Sequence, residues 1–109
     1  MKRLQRQLPF LHSVLQQANR MKRQDLLKHA NADQINAVSE LALNLLRNRI
    51  PMTPQVMAKL RPHKEVLRGL GQRKHSVKKR REMLIQQQGS GLFRGLYCVL
   101  CQCLNKRTH

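Results

Sequence analysis

A chain of 109 residues with 22 Lys and Arg against 5 Asp and Glu carries a net charge of +17, and this narrows the possible functions at once. Five acids leave few paired carboxylates for acid–base catalysis, and 40% hydrophobic residues argue against full disorder while the length allows one small core. Self-repulsion of this size disfavours a compact monomer unless a polyanion neutralises it, so nucleic acid is the first partner expected and an anionic membrane surface the second.

Residues 1–23 hold six basic side chains and no acid. Leu4, Leu8, Leu11, Val14, Leu15 and Ala18 recur at three and four, which predicts a helix starting near Pro9. Residues 24–30 read as a separate turn of helix. A clearer helix follows Asn31 or Asp33, either of which can accept an orphan N–H bond as N-cap. Its stripe is Ile35, Val38, Leu41, Ala42, Leu45 and Leu46, with Arg47 and Arg49 expected in the last turn and Pro51 as the stop.

Thr53-Pro54 signals the next helix, a cap residue followed by proline at the first helical position. Val56, Met57, Leu60, Leu67 and Leu70 supply its buried face, Pro62 kinks or divides it, and Gly69 and Gly71 mark its end. Ser76 caps a last short helix over residues 77–86, with Val77, Leu84 and Ile85 as its few apolar contacts. Gln86-Gln87-Gln88-Gly89-Ser90-Gly91 reads as a polar linker. Beyond it, Leu92, Phe93, Leu96, Tyr97, Val99, Leu100 and Leu104 form an apolar tail, either one more helix of the bundle or a separate functional peptide. The expected fold is all-α, a small bundle of four to five short helices. Its divisions are a basic N-terminal segment (1–23), a helical basic domain (24–87), and a Gly/Ser linker with an apolar, Cys-containing tail (88–109).

Twelve of the 22 Lys and Arg residues lie between Arg47 and Leu84, against only Glu65 and Glu82. A turn between two helices places Arg61, Lys64, Arg68, Arg73, Lys74, Lys78, Lys79, Arg80 and Arg81 as candidate phosphate contacts, the last four being the first choice. Charge surrounding most of the final helix predicts little core burial for it. With no Trp and three aromatics, base stacking is a weak option, and no Asn or Gln occupies an obvious recognition position. Contact with the backbone of double-stranded DNA, or of RNA, with little sequence readout is therefore expected. Lys78-Lys79-Arg80-Arg81 would also suffice as a nuclear localisation signal.

Cys98, Cys101 and Cys103 do not form a disulfide framework, and the chain is expected to be made in a reducing compartment without a secretory signal. Only His109 could add a fourth zinc ligand, so thiols buried in the tail or acylated are the better reading than a metal site. The five His residues lack metal-ligand spacing, Ser76 and Ser90 lack a base, and no Gly-rich phosphate loop is present. Neither an enzyme nor a cofactor is expected.

Several motifs carry a resemblance: Ile50-Pro51-Met52-Thr53-Pro54, Leu60-Arg61-Pro62-His63-Lys64, Leu67-Arg68-Gly69-Leu70, Val77-Lys78-Lys79-Arg80-Arg81 and Leu84-Ile85-Gln86. Together with a glycine pair and an apolar tail, they resemble the short basic proteins of Polinton (Maverick) elements and adintoviruses. The ending of those proteins is similar to adenovirus core protein X, the mu precursor. The resemblance covers roughly residues 24–104, and it departs in reading Gly89-Ser90-Gly91 for Gly-Gly and in placing Cys and Arg94 in the tail. It implies a DNA-condensing core protein located in the virion and the host nucleus. It also implies a cleavage site for an adenovirus-type maturation protease over Gln87, Gly89, Ser90 and Gly91, cut between Ser90 and Gly91; a plain flexible linker is the competing reading. The alternatives are a virion accessory protein that acts on, or is anchored in, a membrane through its tail, and a small regulatory DNA-binding protein.

Overall fold

The structure, a computed structural model, describes residues 2–72, 74–88 and 90–100. It is all-α: among these residues there is no strand, and eight α-helices and one 3-10 turn follow in order. The elements are more numerous than expected. Local stop signals divide what periodicity alone reads as longer helices.

Helices α1 (Lys2–Arg6) and α2 (Leu8–Gln16) divide the N-terminal segment. Pro9 sits in the first turn of α2, where its missing N–H would have had no partner. Helix α3 (Arg20–Lys28) is longer than the single turn expected, because Asn19 caps it by accepting from the Lys22 N–H at 3.0 Å. Helix α4 (Ala32–Leu46) starts with a reciprocal capping box: Asn31 Oδ1 accepts from the Gln34 N–H at 2.9 Å, and Gln34 Oε1 accepts from the Asn31 N–H at 2.8 Å.

The end of α4 differs from the expectation in both position and cause. The helix stops at Leu46, so Arg47 and Arg49 lie beyond its last turn. Asn48 adopts φ 54°, in the left-handed region. Its N–H donates to Leu45 O at 3.2 Å, and the Arg49 N–H donates to Asn44 O at 2.9 Å. These two bonds are the Schellman closure, with asparagine in the place glycine usually takes. The helix is therefore terminated by Asn48, three residues before Pro51.

Helix α5 (Pro54–Leu60) is capped as expected by Thr53, whose Oγ1 accepts from the Val56 N–H at 3.3 Å. The Pro62 break is a 3-10 turn (Arg61–His63), and α6 (Lys64–Gly71) follows it. Ser76 caps α7 (Val77–Gln86), accepting from the Lys79 N–H at 3.0 Å.

One hydrophobic cluster draws on all three expected segments, from Leu4 and Leu11 through Ile35, Leu41 and Leu60 to Leu92 and Leu100. The boundaries expected at 23/24 and 87/88 therefore do not divide the core. Helix α4 packs against α1, α2, α6 and α7. Its predicted stripe is buried at Ile35, Val38, Leu41, Ala42 and Leu45, and Leu46 is half-buried. On α5 the buried positions are Val56 and Leu60, whereas Met57 is 44% exposed and leaves the predicted face. Gly71 lets α6 approach α4 closely: a Cβ there would lie 2.8 Å from Leu43 Cδ2 and 2.9 Å from its Cγ.

The described part of the tail packs as one more helix, α8 (Leu92–Val99), against α2 and α5, and Leu104 lies outside the described residues. Leu92, Phe93, Leu96 and Val99 are all buried, each contributing about 1.5–3 kcal/mol of apolar transfer. Arg23 reinforces the docking. Its guanidinium lies 4.5 Å from the Phe93 ring centre, its Nε donates to Val14 O at 3.0 Å, and Nη2 donates to Gln17 O. Burial lowers its pKa from the ordinary arginine value, yet the side chain remains a cation.

The expected linker is a hydrogen-bonded turn. The Ser90 N–H and Oγ both donate to Gln87 O, at 3.2 and 2.7 Å, and Ser90 Oγ accepts from the Leu92 N–H at 3.3 Å. Gly91 then caps α8 at φ 94°, a conformation that disfavours any residue with a Cβ.

Candidate nucleic-acid interface

The expected phosphate contacts divide into an exposed set and a structural set. Arg61, in the 3-10 turn, and Lys64 and Arg68, on α6, are exposed. Arg68 Nη1 lies 2.9 Å from Glu65 Oε1 one turn away, so part of its charge is already compensated. Lys74, in the turn before α7, is exposed, as are Lys78 and Lys79 in the first turn of α7. That turn is the positive end of the helix dipole, so the lysines add to a field already attractive to anions. Arg73 lies outside the described residues.

Arg80 and Arg81 do not join this surface, which corrects the expectation that placed them with Lys78 and Lys79. Arg80 is 3% exposed, and its Nη1 donates to Ser39 Oγ at 2.5 Å, joining α7 to α4. Arg81 is half-buried, and its Nη2 donates to Ala30 O at 2.6 Å, fastening α7 to the end of α3. Helix α7 therefore packs on α3, α4 and α6 and buries Leu84, although little core burial was expected of it. The signal was present in the sequence: Val77, Arg80 and Leu84 follow helical spacing, with an arginine in the middle position of an apolar stripe.

The structure also gathers cations that the sequence reading did not select. Asp33, in the first turn of α4, accepts from Arg3 Nε at 3.1 Å, from Arg6 Nη2 at 3.0 Å and from Gln7 Nε2 at 2.7 Å. The Gln7 hydrogen bond, followed by those from Arg6 and Arg3, holds the Asp33 carboxyl below its ordinary value, outweighing a partial desolvation. This arrangement brings α1 beside α4 and lines a groove of about 410 Å³ with Arg3, Arg6, Arg47 and Arg49. Only the separation in sequence, more than 25 residues between Arg6 and Asp33, hid the cluster.

At the expected cleavage turn, Gln87 is half-buried, Ser90 and Gly91 are exposed, and Gly89 lies outside the described residues. Cys98 is half-buried, with Lys59 Nζ 3.6 Å from its Sγ. Cys101, Cys103 and His109 fall outside the described residues. Among those described, no group of three or more His, Cys, Asp or Glu side chains could hold a metal ion, and no helix is long and apolar enough to cross a membrane. No family model, curated protein or solved structure matches the chain.

Proposed function

We propose that this protein binds and condenses double-stranded DNA without catalysis, as a core component of the particle of a virus or virus-like mobile element. The observation that carries the reading is the set of exposed cations between the 3-10 turn and the first turn of α7: Arg61, Lys64, Arg68, Lys74, Lys78 and Lys79. Six side chains on the outside of one folded body, with Arg68–Glu65 as the one ion pair among them in the described residues, suit contact with phosphates. Half-buried Tyr97 and buried Phe93 leave little aromatic surface for reading bases. The residue order shared with the short basic proteins of Polinton elements and adintoviruses supports placing the protein in a virion and, during infection, in the host nucleus. The same likeness supports a maturation protease as a partner at Ser90–Gly91. A membrane role for the tail is less favoured, because α8 turns its apolar face to α2 and α5.

Competition between unrelated duplexes, read with a DNA compaction assay, tests the reading. Equal displacement by any duplex of the same length, and compaction once protein charge matches phosphate charge, are the expected results. Preference for one short sequence by more than about a hundredfold, of the size that base-edge contacts produce, would replace it with a regulatory DNA-binding role.

A further inference from the structure

We infer that the groove between α1 and the end of α4 binds two adjacent phosphates, carried by a nucleic-acid backbone or by a free polyphosphate. Four guanidiniums line it, from Arg3, Arg6, Arg47 and Arg49, against the single lining carboxylate of Glu40. The lining therefore holds a surplus of three positive charges, or two when Asp33 beneath Arg3 and Arg6 is counted. Its volume, about 410 Å³, is within the range of small-molecule sites and larger than a single ion requires.

The four arginines are placed by structure on both sides of the groove. On one side, Asp33 engages Arg3 through Nε and Arg6 through Nε and Nη2. Both guanidiniums are thereby oriented, with further N–H groups left over for a ligand. On the other side, the Schellman closure at Asn48 fixes the backbone from which Arg47 and Arg49 leave. Both are exposed, and neither side chain enters an ion pair or hydrogen bond among the described residues. Arginine presents planar forks that suit the oxygens of a phosphate, and its charge does not titrate away. Leu43, in the groove lining, is also the side chain on which Gly71 packs. The groove therefore abuts the end of α6, from which the chain leads to Lys74 and α7, and one phosphate track could serve both.

The choice of DNA as the source of those phosphates rests on the function proposed above; the groove's chemistry does not. Two probes keep them apart: inorganic tripolyphosphate, followed by calorimetry, and a 16-base-pair duplex, followed across salt concentrations. The full chain is compared with Arg47→Gln/Arg49→Gln and with Lys78→Gln/Lys79→Gln, all four positions being exposed so that the fold is kept. Tripolyphosphate affinity should fall at least tenfold in the first variant and less than twofold in the second. The DNA salt slope should flatten by about 1.8 in each, the share of two phosphate contacts. Loss of tripolyphosphate binding with DNA binding unchanged supports the groove and assigns it to a free polyphosphate. Absence of any DNA binding by the full chain, with tripolyphosphate still held through Arg47 and Arg49, overturns the proposed function and leaves the groove standing. Equal tripolyphosphate affinity in all three proteins overturns the inference.

Discussion

The division of the Lys78–Arg81 run into surface and core has a measurable consequence. If DNA binding releases about 0.9 counterion per phosphate contact, the six exposed cations from Arg61 to Lys79 give a log–log salt slope near −5.4, and Arg47 and Arg49 would bring it to roughly −7.2. Lys78→Gln/Lys79→Gln removes two contacts and should flatten the slope by about 1.8. Between 50 and 200 mM salt, a slope of about −5.4 weakens binding by roughly 3.2 decades, and the variant by about 2.2. Arg80→Met should leave the slope unchanged, since the side chain it replaces is 3% exposed and faces Ser39. Methionine keeps the length of the stem and its packing, and Ser39 Oγ retains its bond to Ile35 O at 3.4 Å, so the helix pair should survive. Fluorescence anisotropy on a labelled duplex at five salt concentrations measures all three proteins. If Arg80→Met flattens the slope as much as losing either lysine, Arg80 contacts phosphate and its burial between α7 and α4 is wrong.

Three further outcomes follow from the packing. Leu60→Ala, at a 5%-exposed position touching α8 at Gly95, should lower stability by about 2–5 kcal/mol in a urea melt, and an unchanged midpoint would mean α5 and α8 share no core. Asn48→Ala should cost about 1 kcal/mol, because alanine keeps the Cβ but loses the short polar side chain that lets asparagine tolerate the left-handed region, while Asn48→Gly, with no Cβ, should melt at or above the parent temperature; equal losses in both would show that the asparagine side chain, not φ, ends α4. Asp33 has a folded pKa below its unfolded value, so its contribution is complete above the ordinary carboxylate range and is lost as pH falls through the lowered value. Denaturation midpoints taken from pH 5 to pH 2 should therefore fall more steeply for the parent than for Asp33→Asn, and parallel curves would dismiss the Arg3–Asp33–Arg6 link.

How much of this was legible in the sequence depended on the range of the interaction. Asn31, Thr53 and Ser76 act as caps where residue type and position said they would, because a cap is satisfied within three residues. The α4 stripe was equally readable. Asn48 is hidden because Pro51 offers a conventional stop three residues later, and an asparagine in the left-handed region leaves only a weak compositional trace. Arg80 is hidden for a different reason: within Lys78-Lys79-Arg80-Arg81, all four residues look alike until they are placed on a helix whose next turn is Leu84. The Arg3–Asp33 contact and the arginine groove depend on α1 lying along α4, which no local pattern encodes.

The turn before α8 has a kinetic corollary. A protease that reads an extended strand cannot seat Ser90 and Gly91 while Ser90 is bonded to Gln87 and Gly91 caps a docked helix. Scission there would proceed through a population in which α8 has lifted from α2 and α5. When reclosing is faster than cutting, the rate becomes a measure of that opening equilibrium and not of the enzyme's own turnover. Substitutions remote in sequence from the scissile bond, such as Leu60→Ala on α5 against Gly95, would then accelerate processing by the factor through which they favour opening. The turn would act as a timer whose delay is set by how well one helix fits its seat.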